Sequence, residues 1–145
     1  MKIAVIGTGY VGLVTGVCLS DIGHEVTCID VDQQKVERLR SGDPIIYEPG
    51  LDDLMIKNIE KGRLSFSGNH QEGLAGAEVI YIAVGTPQNE DGSANLTYIE
   101  SAAKDIAKNI KQDTVIVTKS TVPVGTNYHI QSVIEDNLVH QVKIQ

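Results

Sequence analysis

Short aliphatic runs alternate along this chain with segments whose apolar residues recur every three or four positions, and that alternation limits the available folds more than any single residue does. Ile3-Ala4-Val5-Ile6 is continuously apolar, which predicts a strand covered on both faces. Val11, Val14, Val17, Cys18 and Ile22 follow at helical spacing, with Gly23 to end the helix. Val26 to Asp30 predicts a second strand. Asp32 predicts a cap for a helix carrying Val36 and Leu39, with Gly42 beyond its end. Asp43 to Gly50 contains Pro44 and Pro49 and is excluded from helix. Leu51, Leu54, Met55 and Ile59 mark the next helix, stopped near Gly62. Leu64 and Phe66 suggest a short third strand, Val79 to Val84 a fourth, and Val115 to Val117 a fifth. A polar loop from Pro87 to Asn95 precedes a helix bearing Leu96, Ile99, Ala103, Ile106 and Ile110, and Tyr128 to Leu138 predicts a last one.

Five buried strands interleaved with helices imply an α/β fold, a doubly wound parallel sheet with right-handed crossovers. The Rossmann-type version of that sheet has six strands in the order 3-2-1-4-5-6. Val139 to Gln145 would only begin the sixth, so the expected domain spans residues 1–145 and lacks its last strand. No repeat, low-complexity tract or linker divides it.

The first turn carries chemistry. Gly7-Thr8-Gly9-Tyr10-Val11-Gly12 matches G-x-G-x-x-G, a weak signal by itself in a chain with 14 glycines. Its position after the first strand and at the start of the first helix supplies the context the mechanism needs. Gly7 would allow the tight turn, Gly9 the close approach of a pyrophosphate, and Gly12 close packing of helix on strand. The helix N-terminus then offers free N–H groups to the phosphates. Asp30 lies 18 residues after Gly12, at the end of the second strand, where a carboxylate accepts bonds from ribose hydroxyls and repels a 2′-phosphate. NAD is therefore expected over NADP. Lys35 would reach the same ribose, or is simply a surface lysine.

Two further loops would lie at the carboxyl edge of the sheet: Val84-Gly85-Thr86-Pro87, and Ser120 to Thr126. Gly85 would admit a ligand close to the backbone, and the Thr86 and Thr121 hydroxyls would bond to it; plain turn chemistry is the alternative.

Charge excludes other classes. Lys+Arg 12 against Asp+Glu 19 gives a net charge of -7, which argues against nucleic acid or an anionic membrane as partner. It does not conflict with a dianionic cofactor, because the N–H groups and helix dipole act locally, at about 0.3–1 kcal/mol per charge. The apolar run after Met1 is too short for a signal peptide, so a cytoplasmic protein is expected. Cys18 and Cys28 form no ligand or redox motif and read as inert core thiols. His24, His70, His129 and His140 lack a carboxylate partner at useful spacing along the sequence, and no metal site is expected.

The opening Lys2 to Leu13 resembles the start of the UDP-glucose/GDP-mannose dehydrogenase family. So do Tyr47-Glu48-Pro49-Gly50-Leu51, Val84 to Pro87, and Ser120-Thr121-Val122-Pro123-Val124-Gly125-Thr126. The Tyr47 to Leu51 run looks most like the UDP-glucose 6-dehydrogenases. The resemblance implies NAD-dependent oxidation of a nucleotide sugar's C6 alcohol to a carboxylate, with two NAD+ consumed. It implies cofactor contacts from Gly7, Gly9, Tyr10, Val11 and Gly12 in the first turn, and from Asp30 and Lys35. On the second half it implies contacts from Val84, Gly85, Thr86, Ser120 and Thr121, with Thr121 also supporting the catalytic water. The family's nucleophilic cysteine, its Pro-Glu-Phe-Leu-type carboxylate segment and its central dimer helix match nothing here. The domain is therefore expected to bind NAD without turning over substrate, within a homodimeric parent. Two alternatives remain at this level: another Rossmann dehydrogenase of the 6-phosphogluconate or hydroxyacid type, or an NAD-sensing regulatory module without chemistry.

Overall fold

The computed structural model describes residues 1–145. In chain order the elements are β1 (Lys2–Ile6), α1 (Tyr10–Ile22), β2 (Glu25–Ile29), α2 (Gln33–Arg40), α3 (Leu51–Glu60), β3 (Leu64–Ser67), α4 (His70–Leu74), β4 (Val79–Ile82), α5 (Thr97–Asn109), β5 (Val115–Thr118) and α6 (Thr126–Asn137). All strand pairs are parallel and the sheet order is β3-β2-β1-β4-β5, the first five positions of the doubly wound order.

Strand alternation sorts the apolar residues into two cores. Ile3 and Val5 of β1 join Val26, Cys28, Leu64 and Phe66 beneath α1, α2 and α3. Ala4 and Ile6 join Ile80 and Ile82 beneath α4, α5 and α6. Central strands covered on both faces must be apolar at every position, which is why β1 reads as an unbroken run. Asp32 caps α2 as expected, its carboxylate accepting from the Gln34 and Lys35 N–H groups at 3.1 and 3.2 Å.

Several expectations change. β4 ends at Ile82, so Val84 belongs to the loop beyond it. β5 is not buried: Val115 is exposed and the rest of the strand half-buried, because it is the outermost strand and only residues 143–145 pair with part of its outer edge. Cys18 points outward from α1 rather than into the core, whereas Cys28 is fully buried, its thiol pushed up to about 12 by loss of solvation. The short helix α4 carries no periodic signal in five residues and holds Gly73 at its fourth position, where a Cβ would meet the Ile29 side chain at 2.5 Å. At the other end of the chain, Thr114 N–H donates to the Lys143 carbonyl at 3.0 Å and Gln145 N–H to the Thr114 carbonyl at 3.1 Å. Those bonds place Ile144 in a parallel bridge with Thr114, on the side of β5 where a sixth strand runs in the doubly wound order.

Candidate functional site

The carboxyl ends of β1, β2 and β4 open into a cleft of about 330 Å³, the size of a small-molecule site. Its centre is the turn from β1 to α1. Gly7 adopts φ 105°, and a Cβ there would lie 2.4 Å from the Ala83 carbonyl oxygen. At Gly12 a Cβ would lie 2.0 Å from the Gly7 carbonyl oxygen. Both glycines are demanded by the protein's own packing.

Gly9 is different. Its φ of -71° and ψ of -167° suit any residue, and a Cβ there would meet nothing within 4 Å. No protein atom requires glycine at this place, and the missing side chain leaves open space beside the helix start. The first intrahelical bond of α1 runs from Leu13 N–H to the Gly9 carbonyl at 2.9 Å, and the N–H groups of Tyr10, Val11 and Gly12 have no intrahelical acceptor. A space that a Cβ would fill, bordered by donors at a helix start, fits a pyrophosphate.

Asp30 follows β2 at one end of the cleft. Its Oδ2 accepts from the Thr8 hydroxyl at 2.6 Å and lies 3.5 Å from Lys35 Nζ, while Oδ1 accepts from the Asp32 N–H at 3.0 Å. Partial burial, the largest single influence, pushes the carboxyl upward. The Thr8, Asp32 and Lys35 contacts together outweigh it and hold Asp30 below the ordinary carboxylate range. The result is an ionised acceptor of fixed orientation, suited to vicinal ribose hydroxyls and unsuited to a phosphate. Thr8 escaped the sequence reading because the motif specifies only its glycines, yet it is buried and orients the acid.

The second-half loops meet where the sequence placed them. Thr86 donates its hydroxyl to the Thr121 carbonyl at 3.0 Å, and Ser120 donates to the Val84 carbonyl at 2.8 Å, so the turns after β4 and β5 are tied together. Gly85 is exposed, with nothing within 4 Å of its would-be Cβ, and Thr121 is exposed beside it. On the other flank, the Tyr10 hydroxyl donates to Glu48 Oε2 at 2.7 Å, joining the glycine turn to the Tyr47–Leu51 motif. That bond to a carboxylate, followed by its charge, holds the Tyr10 phenol above its usual range.

Histidine behaves otherwise than the sequence suggested. His70 Nε2 lies 3.7 Å from Asp105 Oδ2, and His129 Nε2 lies 3.0 Å from Glu100 Oε1. Both pairs join separate helices, so spacing along the chain did not reveal them. No group of three or more His, Cys, Asp or Glu side chains is arranged to hold a metal ion. No helix is long and apolar enough to cross a membrane.

A doubly wound sheet, a glycine turn left open at its helix start and an acid closing the second strand define a dinucleotide-binding domain of the dehydrogenase type. The whole chain, residues 1–145, matches the NAD binding domain of the UDP-glucose/GDP-mannose dehydrogenase family, and it belongs to that family, with NAD as cofactor. Among curated relatives it is 60% identical over 144 residues to UDP-glucose 6-dehydrogenase YwqF of Bacillus subtilis, covering 99% of this chain and 33% of the relative. It is 49% identical over 137 residues to UDP-glucose 6-dehydrogenase of Rhizobium meliloti, covering 94% and 31%. Among solved structures, a UDP-glucose dehydrogenase from Pyrobaculum islandicum superposes with a TM-score of 0.93 at 40% identity, over 99% of this chain and 34% of that one. A ternary complex of GDP-mannose dehydrogenase from Pseudomonas aeruginosa gives 0.91 at 34% identity, over 99% and 35%. The chain thus spans about a third of the length of these four proteins.

Proposed function

We propose that this domain holds NAD+ for a dehydrogenase that oxidises the C6 alcohol of UDP-glucose to a carboxylate, giving UDP-glucuronate. Converting a primary alcohol to a carboxylate removes four electrons and adds one water oxygen, so the bound cofactor, which accepts one hydride, is consumed twice per product. In this reading the Gly9 turn takes the pyrophosphate on the N–H groups of Tyr10, Val11 and Gly12. Asp30 accepts from the adenosine ribose, with Thr8 and Lys35 fixing its carboxylate. Val84, Gly85, Thr86, Ser120 and Thr121 line the approach to the nicotinamide half. Thr121, exposed at that edge, supports the water that enters the product. UDP-glucose is favoured over other nucleotide sugars by the two UDP-glucose 6-dehydrogenases at 60% and 49% identity. Dimerisation of a full-length protein is proposed through segments outside these residues.

The observation that carries the reading is Gly9, whose missing side chain serves no packing need of the protein. Calorimetric titration of the chain with NAD+ and NADP+ tests it. NAD+ should bind and NADP+ should bind more weakly; preference for NADP+, or no binding by folded protein, would overturn the reading. Neither cysteine lies in the cleft, and Cys28 is buried with its thiol held protonated, so the 145-residue chain alone should produce no NADH from UDP-glucose. NADH formation would refute that part.

A further inference from the structure

From Asp30 the cleft continues away from the glycine turn to a wall that the cofactor motifs do not include. Tyr98, Ser101, Ala102 and Asp105 of α5 recur at spacings of three, one and three, so they form a single stripe on the helix facing the cleft. Ala102 is nearly fully buried and its side chain is small, leaving a shallow apolar slot between α5 and the Ile29–Val31 segment. At the far end stands His70, the first residue of α4, its Nε2 3.7 Å from Asp105 Oδ2. His70 keeps 17% of its side chain exposed and Asp105 34%, so the pair borders open space rather than filling the core. No other side chain engages the Asp105 carboxylate; only its backbone carbonyl is used, by Asn109 Nδ2 at 2.7 Å. The pair therefore closes the cleft with a hydrogen-bond acceptor that has capacity to spare.

Resting on the cofactor reading above, we propose that Asp105 is a specificity-determining residue that accepts a hydrogen bond from the exocyclic amino group of the cofactor's purine, with His70 as its positioning residue. Once the pyrophosphate sits at Gly9 and the ribose at Asp30, the base has this slot to enter. Adenine presents an amino donor at its 6-position, whereas hypoxanthine presents an oxygen acceptor there. A carboxylate accepts and cannot donate, so it pairs with the first and repels the second. Sites built around such a bond discriminate strongly, because the mismatched partner leaves two acceptors facing each other. The His70 ring stands 3.7 Å from one carboxylate oxygen, and its bulk restricts how the Asp105 side chain turns toward the base.

The test compares NAD+ with nicotinamide hypoxanthine dinucleotide by calorimetry on the 145-residue chain and its variants, with thermal melts to check folding. Wild type should prefer NAD+ by roughly tenfold or more, a difference of about 1.4 kcal/mol. Asp105→Asn, whose amide can donate to the 6-oxygen, should bring the ratio to near one or invert it. Asp105→Ala keeps the question open if the amide disturbs α5, and it should also lose the preference. His70→Gln, which keeps a polar side chain beside Asp105, should keep most of the preference, and His70→Phe should lose it. An unchanged ratio in both Asp105 variants, or no preference in wild type, would overturn the proposal while leaving NAD binding intact. Failure of folded wild type to bind either dinucleotide would remove the cofactor reading itself, and this proposal with it.

Discussion

Gly9 and Gly12 sit three residues apart in one turn and should respond to alanine in opposite ways. Gly9→Ala places a methyl group in open space, so it should cost under about 1 kcal/mol of stability, the loss of a tolerable helix cap, while weakening NAD+ binding tenfold or more. Gly12→Ala drives a methyl group against the Gly7 carbonyl and should destabilise the domain by roughly 1–3 kcal/mol or more. Melting curves together with NAD+ titration separate the two; equal stability losses would contradict the assignment of Gly9 to the ligand. Asp30 offers a second test through pH. Its folded-state pKa is depressed, so its contribution is present above the unfolded value of about 3.9 and is lost as pH falls through the folded value. The stability gap between wild type and Asp30→Asn should therefore be open at neutral pH and close in acid below about pH 4. Asp21, Asp43 and Asp91 are also depressed, but they are common to both proteins and cancel in the difference. A gap that widened in acid would mean that Asp30 is not stabilised as a carboxylate.

At the scale of elements, α2 is where capping and site geometry meet. Asp32 caps the helix through the N–H groups of Gln34 and Lys35, and Lys35 in turn faces Asp30. Asp32→Ala should cost about 1 kcal/mol and lower the melting temperature by about 4 °C for a chain of this size. It should also weaken NAD+ binding modestly, because Lys35 loses its anchored backbone; calorimetry on the folded variant reads this. An unchanged melting temperature would show that the cap bonds contribute nothing. Asp32 was legible in the sequence because an N-cap announces itself beside its own helix. α4 was not, since five residues around Gly73 carry no period. The outward turn of Cys18 was also hidden: it follows Val17 directly, and a helical turn of 100° per residue separates the buried position from the exposed one.

For the molecule as a whole, the open side of β5 is the weak boundary. Thr114 and Ile116 donate outward to Lys143 and Gln145, at 3.0 and 2.6 Å. By strand alternation Thr118 N–H points the same way, beside the groove formed by Ile116, Tyr128, Ile130 and Ile134. A chain ended at Leu138 should expose that edge fully and associate more strongly with rising concentration, as read by light scattering. A persistently monomeric shortened chain would show that residues 139–145 protect nothing. The sequence by itself determined the order of the five strands and of every helix but α4, the glycine turn, Asp30 and the two second-half loops, because each rests on local periodicity, backbone conformation or neighbouring residues. Only the tertiary structure decided which motif glycine no protein atom crowds, that Thr8 orients Asp30, and that Tyr10 meets Glu48. It also brought His70 to Asp105, 35 residues apart in sequence, at one wall of the cleft. Those features depend on the distance between elements that the chain reaches only by folding, and no local pattern encodes it.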